Sequence, residues 1–365
     1  MKFLFIEPFF GGSHREFAEG LVENTRHRID LITLPARFWK WRMRGAALYF
    51  VKKCGSALSA YDGLITSDLM SLADFKALTP DTCPAALVYF HESQLTYPLA
   101  PGAEMDYQFG FTDITTSLAG DRILFNSEMH RNAFFEALPR FLKMMPDYRP
   151  GWVMDAIRSK AGVLYPGCRF PAAGLIEPQQ PNTAPPLIIW NHRWEFDKDP
   201  DTFFEVLDAV LQSGCEFRLA LLGESARAVP KPFLSARDRF GRRVVRYGSV
   251  ASRDDYIGWL KNGDITISTA IQENFGIATV EAIRHGCLPL LPRRLSYPEI
   301  IPVDCHGQVL YRDSGDLVAK LKERLNHLSK FQELRDSLAE AMGKYSWQHQ
   351  IERFDRELEN LARGR

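Results

Sequence analysis

Short apolar runs of strand length recur along this chain at intervals long enough to hold a helix, and no other feature constrains its fold as much. They stand at residues 3–6, 30–34, 63–67, 86–90, 122–125 and 163–165, and again at 187–190, 218–222, 244–247, 264–268 and 288–291. Runs that are apolar on both faces read as buried strands of parallel sheets, whose crossovers are helices. Between the two sets, five prolines between Pro171 and Pro186 remove backbone donors and disfavour helix before each of them. The expected organisation is α/β with two doubly wound, Rossmann-like parallel sheets: a domain at 1–172, a linker at 173–186 and a second domain at 187–344. A length of 365 residues suits two such domains better than one. Ligands of such sheets sit beyond the carboxyl ends of the strands, so a cleft between two lobes is the expected place for chemistry.

Charge gives no global argument for a polyanionic partner or a membrane, because Lys plus Arg and Asp plus Glu both total 45. Any such partner must be met by a local patch. The six cysteines are scattered without a Cys-x-x-Cys or a histidine cluster at metal-ligand spacing, which fits a reduced, cytoplasmic compartment. The apolar start, Phe3 to Ile6, is ended by Glu7 and Pro8 and reads as a strand rather than a signal segment. No apolar stretch approaches the roughly 20 residues that cross a bilayer, so no membrane span is expected.

The strongest local signal runs from Ser268 to Ile283. A buried strand ends near Ser268, a loop carries Glu273, and Gly276 opens a helix whose Ile277, Val280 and Ile283 share a face. Amides around Phe275, Gly276 and Ile277 then point out of the helix start toward a phosphate-sized anion. Seven residues separate Glu273 from Glu281, which puts one glutamate in the loop and the other about a turn and a half into the helix. By themselves, two carboxylates here could simply favour the positive end of a helix dipole.

Glu-x7-Glu after a strand, with Phe-Gly between, resembles the signature of retaining GT-B glycosyltransferases of family 4. The resemblance implies that Glu273 touches donor-sugar hydroxyls and Glu281 holds a ribose, with Asn274, Phe275, Gly276 and Ile277 around the donor. Asn191, Arg193 and Lys198, just past the first strand of the second half, resemble the family's Arg-x4-Lys element. These cations would neutralise a departing nucleoside diphosphate. A solvated loop with incidental charges is the plainer alternative. Asp197-Lys-Asp199 looks like a metal-holding DxD, but it lies inside this cation element and Asp199-Pro200 reads as a helix cap, so no metal and no cofactor are expected. Gly223, in Leu222-Gly-Glu224, and Val250, in the turn Tyr247-Gly-Ser-Val250, are weaker donor-side candidates; the resemblance sets the latter turn against the nucleobase.

In the first half, Gly11, Gly12 and Ser13 follow the first strand directly, and glycines there let backbone approach a ligand closely. A plain tight connection explains them equally well. His91 ends a buried strand and is a candidate for the donor sugar or the acceptor proton, against the usual structural role of a lone histidine. From Arg26 to Lys53 the chain is rich in cations and aromatics, with Asp30 as its only acid. Such a stretch can neutralise phosphates and stack unpaired bases, or can be an amphipathic surface with snorkelling basic chains.

Glu7-Pro-Phe-Phe-Gly-Gly-Ser-His14, Leu34-Pro-Ala-Arg37, Trp39-Lys-Trp-Arg42, Tyr89-Phe-His-Glu-Ser-Gln94, Phe125-Asn-Ser127, Trp190 to Asp199 and Pro292 to Glu299 are together similar to the tRNA-queuosine α-mannosyltransferase family across nearly the whole chain. That implies GDP-mannose as donor and queuosine in the anticodon loop of tRNA-Asp as acceptor. His14, Arg37, Trp39, Lys40, Trp41, Arg42, Arg44, Glu92 and Gln94 are the acceptor-side candidates. His91, Glu273, Arg193 and Lys198 would carry retaining transfer, and residues 345–365 resemble the terminal helix that crosses back to the first domain. Another hexose donor, a different modified base, a lipid or glycan acceptor, and a noncatalytic RNA-binding module remain the alternatives.

Overall fold

A computed structural model of the chain describes residues 1–80, 83–100, 102–171, 184–223 and 229–364. It divides into two units, residues 1–169 with 345–365 and residues 170–344. Each holds a six-stranded parallel sheet. Most of the expected linker, 173–183, lies outside the described residues.

In the first unit the strands are β1 (Lys2–Phe10), β2 (Arg28–Pro35), β3 (Gly63–Ser67), β4 (Ala86–Phe90), β5 (Arg122–Phe125) and β6 (Ala161–Val163), ordered β2-β1-β3-β4-β5-β6. Alternate residues of β1 serve opposite layers, as a pleated strand requires. Leu4 and Ile6 face a core with Phe50, Leu58 and Met70, while Phe3 and Phe5 face one with Phe17, Leu21 and Phe354. The last strand sits two residues earlier than the apolar run suggests. Ile123 to Phe125 pair with Ala161 to Val163, and the Leu164 amide then donates to the Phe125 carbonyl at 3.0 Å.

The helix Trp347–Ala362 closes the second of those layers. Its buried residues Trp347, Gln350, Phe354, Asp355, Leu358 and Leu361 fall on one stripe. The indole of Trp347 occupies the space that side chains at Gly20 and Gly167 would need. Arg122 grips Glu357 through two hydrogen bonds of 2.7 and 2.9 Å.

The second unit contains β7 (Leu187–Trp190), β8 (Arg218–Leu221), β9 (Val244–Tyr247), β10 (Ile265–Ile267), β11 (Leu288–Pro292) and β12 (Leu310–Tyr311), ordered β12-β11-β10-β7-β8-β9. Only two residues long, β12 leaves no readable pattern in the sequence. The order places β7, β8 and β10 side by side at the middle of the sheet. The loops leaving these strands therefore share one end of it.

Candidate active site

Lys198 is the hub of the second unit's loops. It closes a single 3-10 turn, Phe196–Lys198, after β7, and its side chain is buried. The ammonium donates to the Gln272 carbonyl at 2.7 Å and to the Glu273 carboxylate at 3.2 Å, and lies 3.2 Å from Asp197. Burial alone would raise the Glu273 acid; the Lys198 charge, with Arg193 adding to it, holds it below the usual carboxylate range. Arg193 is exposed, 3.8 Å from Asp197. His192 stays neutral, pushed by burial and by Lys198 down to about 4.

The loop that carries Glu273 is pinned from several sides. Amides of Ile271 and Gln272 donate to the Asp197 carbonyl, Arg294 donates to the Ala270 carbonyl, and the Ser296 hydroxyl donates to the carbonyls of Phe275 and Glu273. Asn274 accepts from the Gln272 amide at 2.9 Å. Gly276 has φ +94°, a left-handed backbone that makes the turn into the helix Ile277–Arg284 suit glycine. These bonds hold the loop with the protein's own groups, the arrangement that electrostatic preorganisation requires. Asp199 caps the helix Pro200–Gln212, accepting from the Thr202 amide, and Asp197 is buried against Lys198; the DxD-like pattern is thus an ion pair and a cap.

Glu281 is buried, paired with Arg253 and accepting from the Tyr256 hydroxyl at 3.2 Å. Asn191 donates to Tyr256 and to the Ala278 carbonyl at 3.0 and 2.7 Å, joining the end of β7 to the same helix. Val250 packs, as Tyr256 does, against the buried cluster that includes Leu187, Ile189 and Leu222. Gly223, at φ +117°, meets the His192 carbonyl so closely that a side chain would strike it; its neighbour Glu224 lies outside the described residues.

The first unit gathers a second polar cluster at the ends of β1, β3 and β4. Glu7 is wholly buried; one oxygen accepts from the Phe9 amide at 2.8 Å and from Ser67 at 3.0 Å, and lies 3.3 Å from His14. Burial would lower the His14 imidazole, but Glu7, with Asp68 and Glu92, raises it to about 9. His91 lies with its ring centroid 4.0 Å from that of His14. Its amide donates to Asp68 at 2.8 Å and its carbonyl accepts from Asn126 at 3.0 Å. Burial and the His14 charge keep its ring neutral, well below the usual value. Glu7, His14 and His91 each bring one potential ligand atom within 4.8 Å of the others.

Gly11, Gly12 and Ser13 lead into the helix Gly12–Asn24, with Gly11 against Ala36. Gln94 donates from its backbone to Asp113 and from its side chain to Glu92. The basic stretch forms the helix Trp39–Cys54, which buries Met43, Ala46, Ala47, Phe50 and Cys54 and exposes Lys40, Trp41 and Arg44. Arg37 is exposed before it, and Arg42 donates to the Pro35 carbonyl. Trp39 instead turns inward onto Phe109.

A family model described as the tRNA-queuosine alpha-mannosyltransferase N-terminal region matches residues 2–168, and one for glycosyl transferases group 1 matches residues 175–345. A tRNA-queuosine alpha-mannosyltransferase of Drosophila melanogaster is 36% identical over 348 residues, covering 92% of this chain and 90% of that protein. The chain belongs to the tRNA-queuosine α-mannosyltransferase family.

It is a glycosyltransferase with the GT-B fold. Sucrose-phosphate synthase from Thermosynechococcus elongatus superposes with a TM-score of 0.75 at 13% identity, covering 100% of both chains. An Anabaena protein, HepE, solved with UDP and glucose gives 0.70 at 14% identity, covering 99% of this chain and 100% of that one. A GDP-mannose-dependent phosphatidylinositol dimannoside mannosyltransferase of Mycobacterium tuberculosis is 25% identical over 118 residues, 32% of this chain and 30% of that protein.

In this family member the structure gathers Asn191, Lys198, Glu273 and Glu281 with their neighbours in the second unit, and His14 with His91 in the first. Arg253 and Tyr256, which hold Glu281, escape sequence reading because they reach it from a helix 25 and 28 residues away. Glu7 and Asp68 were legible only as charges ending apolar runs. No described helix is long and apolar enough to cross a membrane.

Proposed function

We propose that the chain transfers mannose from GDP-mannose to queuosine in tRNA, with tRNA-Asp as the acceptor. The observation that carries this reading is the near full-length similarity to the Drosophila tRNA-queuosine alpha-mannosyltransferase, in a chain whose Glu273–Lys198 pair is already assembled. The partial similarity to a GDP-mannose-dependent enzyme supports the donor. In this reading Arg193 and Lys198 stabilise the leaving diphosphate, Glu273 orients the hexose and Glu281 receives the ribose, exchanging part of its bond to Arg253. His91, neutral, contacts the sugar. The acceptor hydroxyl attacks the anomeric carbon on the face that the diphosphate leaves. The new carbon–oxygen bond forms as the old one breaks, and the hydroxyl proton passes to the departing phosphate oxygen. The configuration is retained without a covalent glycosyl-enzyme.

Radiolabelled GDP-mannose incubated with protein and tRNA tests it, with nucleoside mass spectrometry of the product. Mannosylated queuosine in tRNA-Asp, and no label on queuosine-free tRNA, is the expected result. Label on tRNA lacking queuosine refutes the acceptor, and transfer only from another sugar nucleotide refutes the donor.

A further inference from the structure

Phe38 breaks two local rules at once. It has φ +56°, a left-handed backbone disfavoured for any residue with a Cβ, and it occupies the N-cap of the helix Trp39–Cys54 without offering a capping side chain. Conformations of this kind persist where the surroundings over-determine them, and they cluster where a chain binds something. Here the Phe38 carbonyl accepts from the amides of Trp41 and Arg42 at 2.8 and 3.1 Å. The ring is left 69% exposed, and Trp41, one turn on, is 76% exposed. Trp39 between them is anchored, its ring 5.0 Å from that of Phe109 and packed beside Met43 and Leu69.

The electrostatic setting selects the partner. Residues 31–61 contain no Asp or Glu, yet include Arg37, Lys40, Arg42, Arg44, Lys52 and Lys53. The Arg37 guanidinium lies 5.9 Å from the Phe38 ring centre. Two large exposed rings on a stretch of chain that carries cations and no acid fit a polyanion that also presents flat, unstacked faces. Single-stranded RNA has both properties; duplex RNA hides its bases.

We propose that Phe38 and Trp41 form a stacking platform for unpaired RNA bases, with Arg37, Lys40 and Arg42 along the adjoining phosphates and Trp39 as the platform's footing. This rests on the RNA-acceptor reading above and adds which side chains receive the loop. The test is fluorescence anisotropy with a labelled RNA hairpin carrying an unpaired loop, a blunt duplex of the same stem, and vesicles containing phosphatidylserine.

Phe38→Gly is the decisive variant, because glycine adopts this backbone without strain and its thermal melt should match or exceed that of the parent. Phe38→Gly and Trp41→Ala should each weaken hairpin binding on the order of tenfold, the scale of one lost base stack. Duplex binding should be unchanged, and Trp41→Phe should restore most of the loss. Hairpin binding equal to the parent's in both variants overturns the platform, as does a loss confined to vesicles. If the parent chain binds neither RNA, the acceptor reading itself fails.

Discussion

Lys198 answers two carboxylates with one charge, and that imbalance defines its role. Asp197 is almost fully buried beside it and Glu273 is largely so. Removing the ammonium leaves both carboxylates only the exposed Arg193 guanidinium, 3.8 Å from Asp197, and truncating one partner of a buried ionic group costs about 3–5 kcal/mol. Lys198→Ala should therefore lower the urea unfolding free energy by about 3 kcal/mol and cut sugar transfer by roughly a hundredfold or more, the scale for one lost electrostatic contact to a developing charge. Glu273→Gln should cut transfer with a smaller effect on unfolding, separating sugar orientation from loop stability. His14 gives a prediction in pH. Its pKa rises on folding from 6.5 to about 9, so its contribution to stability is complete below 6.5 and is lost as pH climbs through about 9. Asp68, raised by burial to about 7, has largely ionised before then. Thermal melts between pH 7 and 9 should fall for the parent chain and fall less for His14→Gln, in which Asp68, no longer opposed by the His14 charge, ionises at higher pH.

At the scale of elements, the helix Trp347–Ala362 depends on two absences. Gly20 and Gly167 make room for one indole, so Gly20→Ala should lower the melting temperature although the alanine itself favours helix. Trp347→Ala should cost about 3–5 kcal/mol in urea unfolding. Legibility in the sequence follows burial. Runs buried on both faces, such as those forming β3, β4, β5 and β7, appear in the sequence with the bounds the structure gives them. The short edge strand β12 and the earlier start of β6 depend on pairing partners far along the chain, which no local pattern encodes. The same holds for the site. Glu273 and Lys198 follow strands directly and were readable by position. The union of Glu281 with Arg253, and the exposed left-handed backbone of Phe38 beside the inward-turned Trp39, are set by three-dimensional packing and by φ.

For the whole molecule, the first unit is assembled from the two ends of the sequence. The joints lie close together: the Cys168 amide donates to the Tyr345 carbonyl at 2.7 Å, and the Trp347 amide donates to the Cys168 carbonyl at 3.2 Å. A chain joining residue 169 to residue 345 through a few glycines should therefore melt cooperatively by circular dichroism, whereas residues 1–169 alone should not, because Phe17, Leu21 and Tyr89 would lose their cover. This arrangement also sets an order of maturation on the ribosome. The stretch that makes the second sheet is complete while the first sheet still lacks its closing helix, so the half synthesised first is the half finished last. Until Trp347 emerges, the nascent chain carries an open apolar layer, and it is in that interval that a chaperone has most to cover.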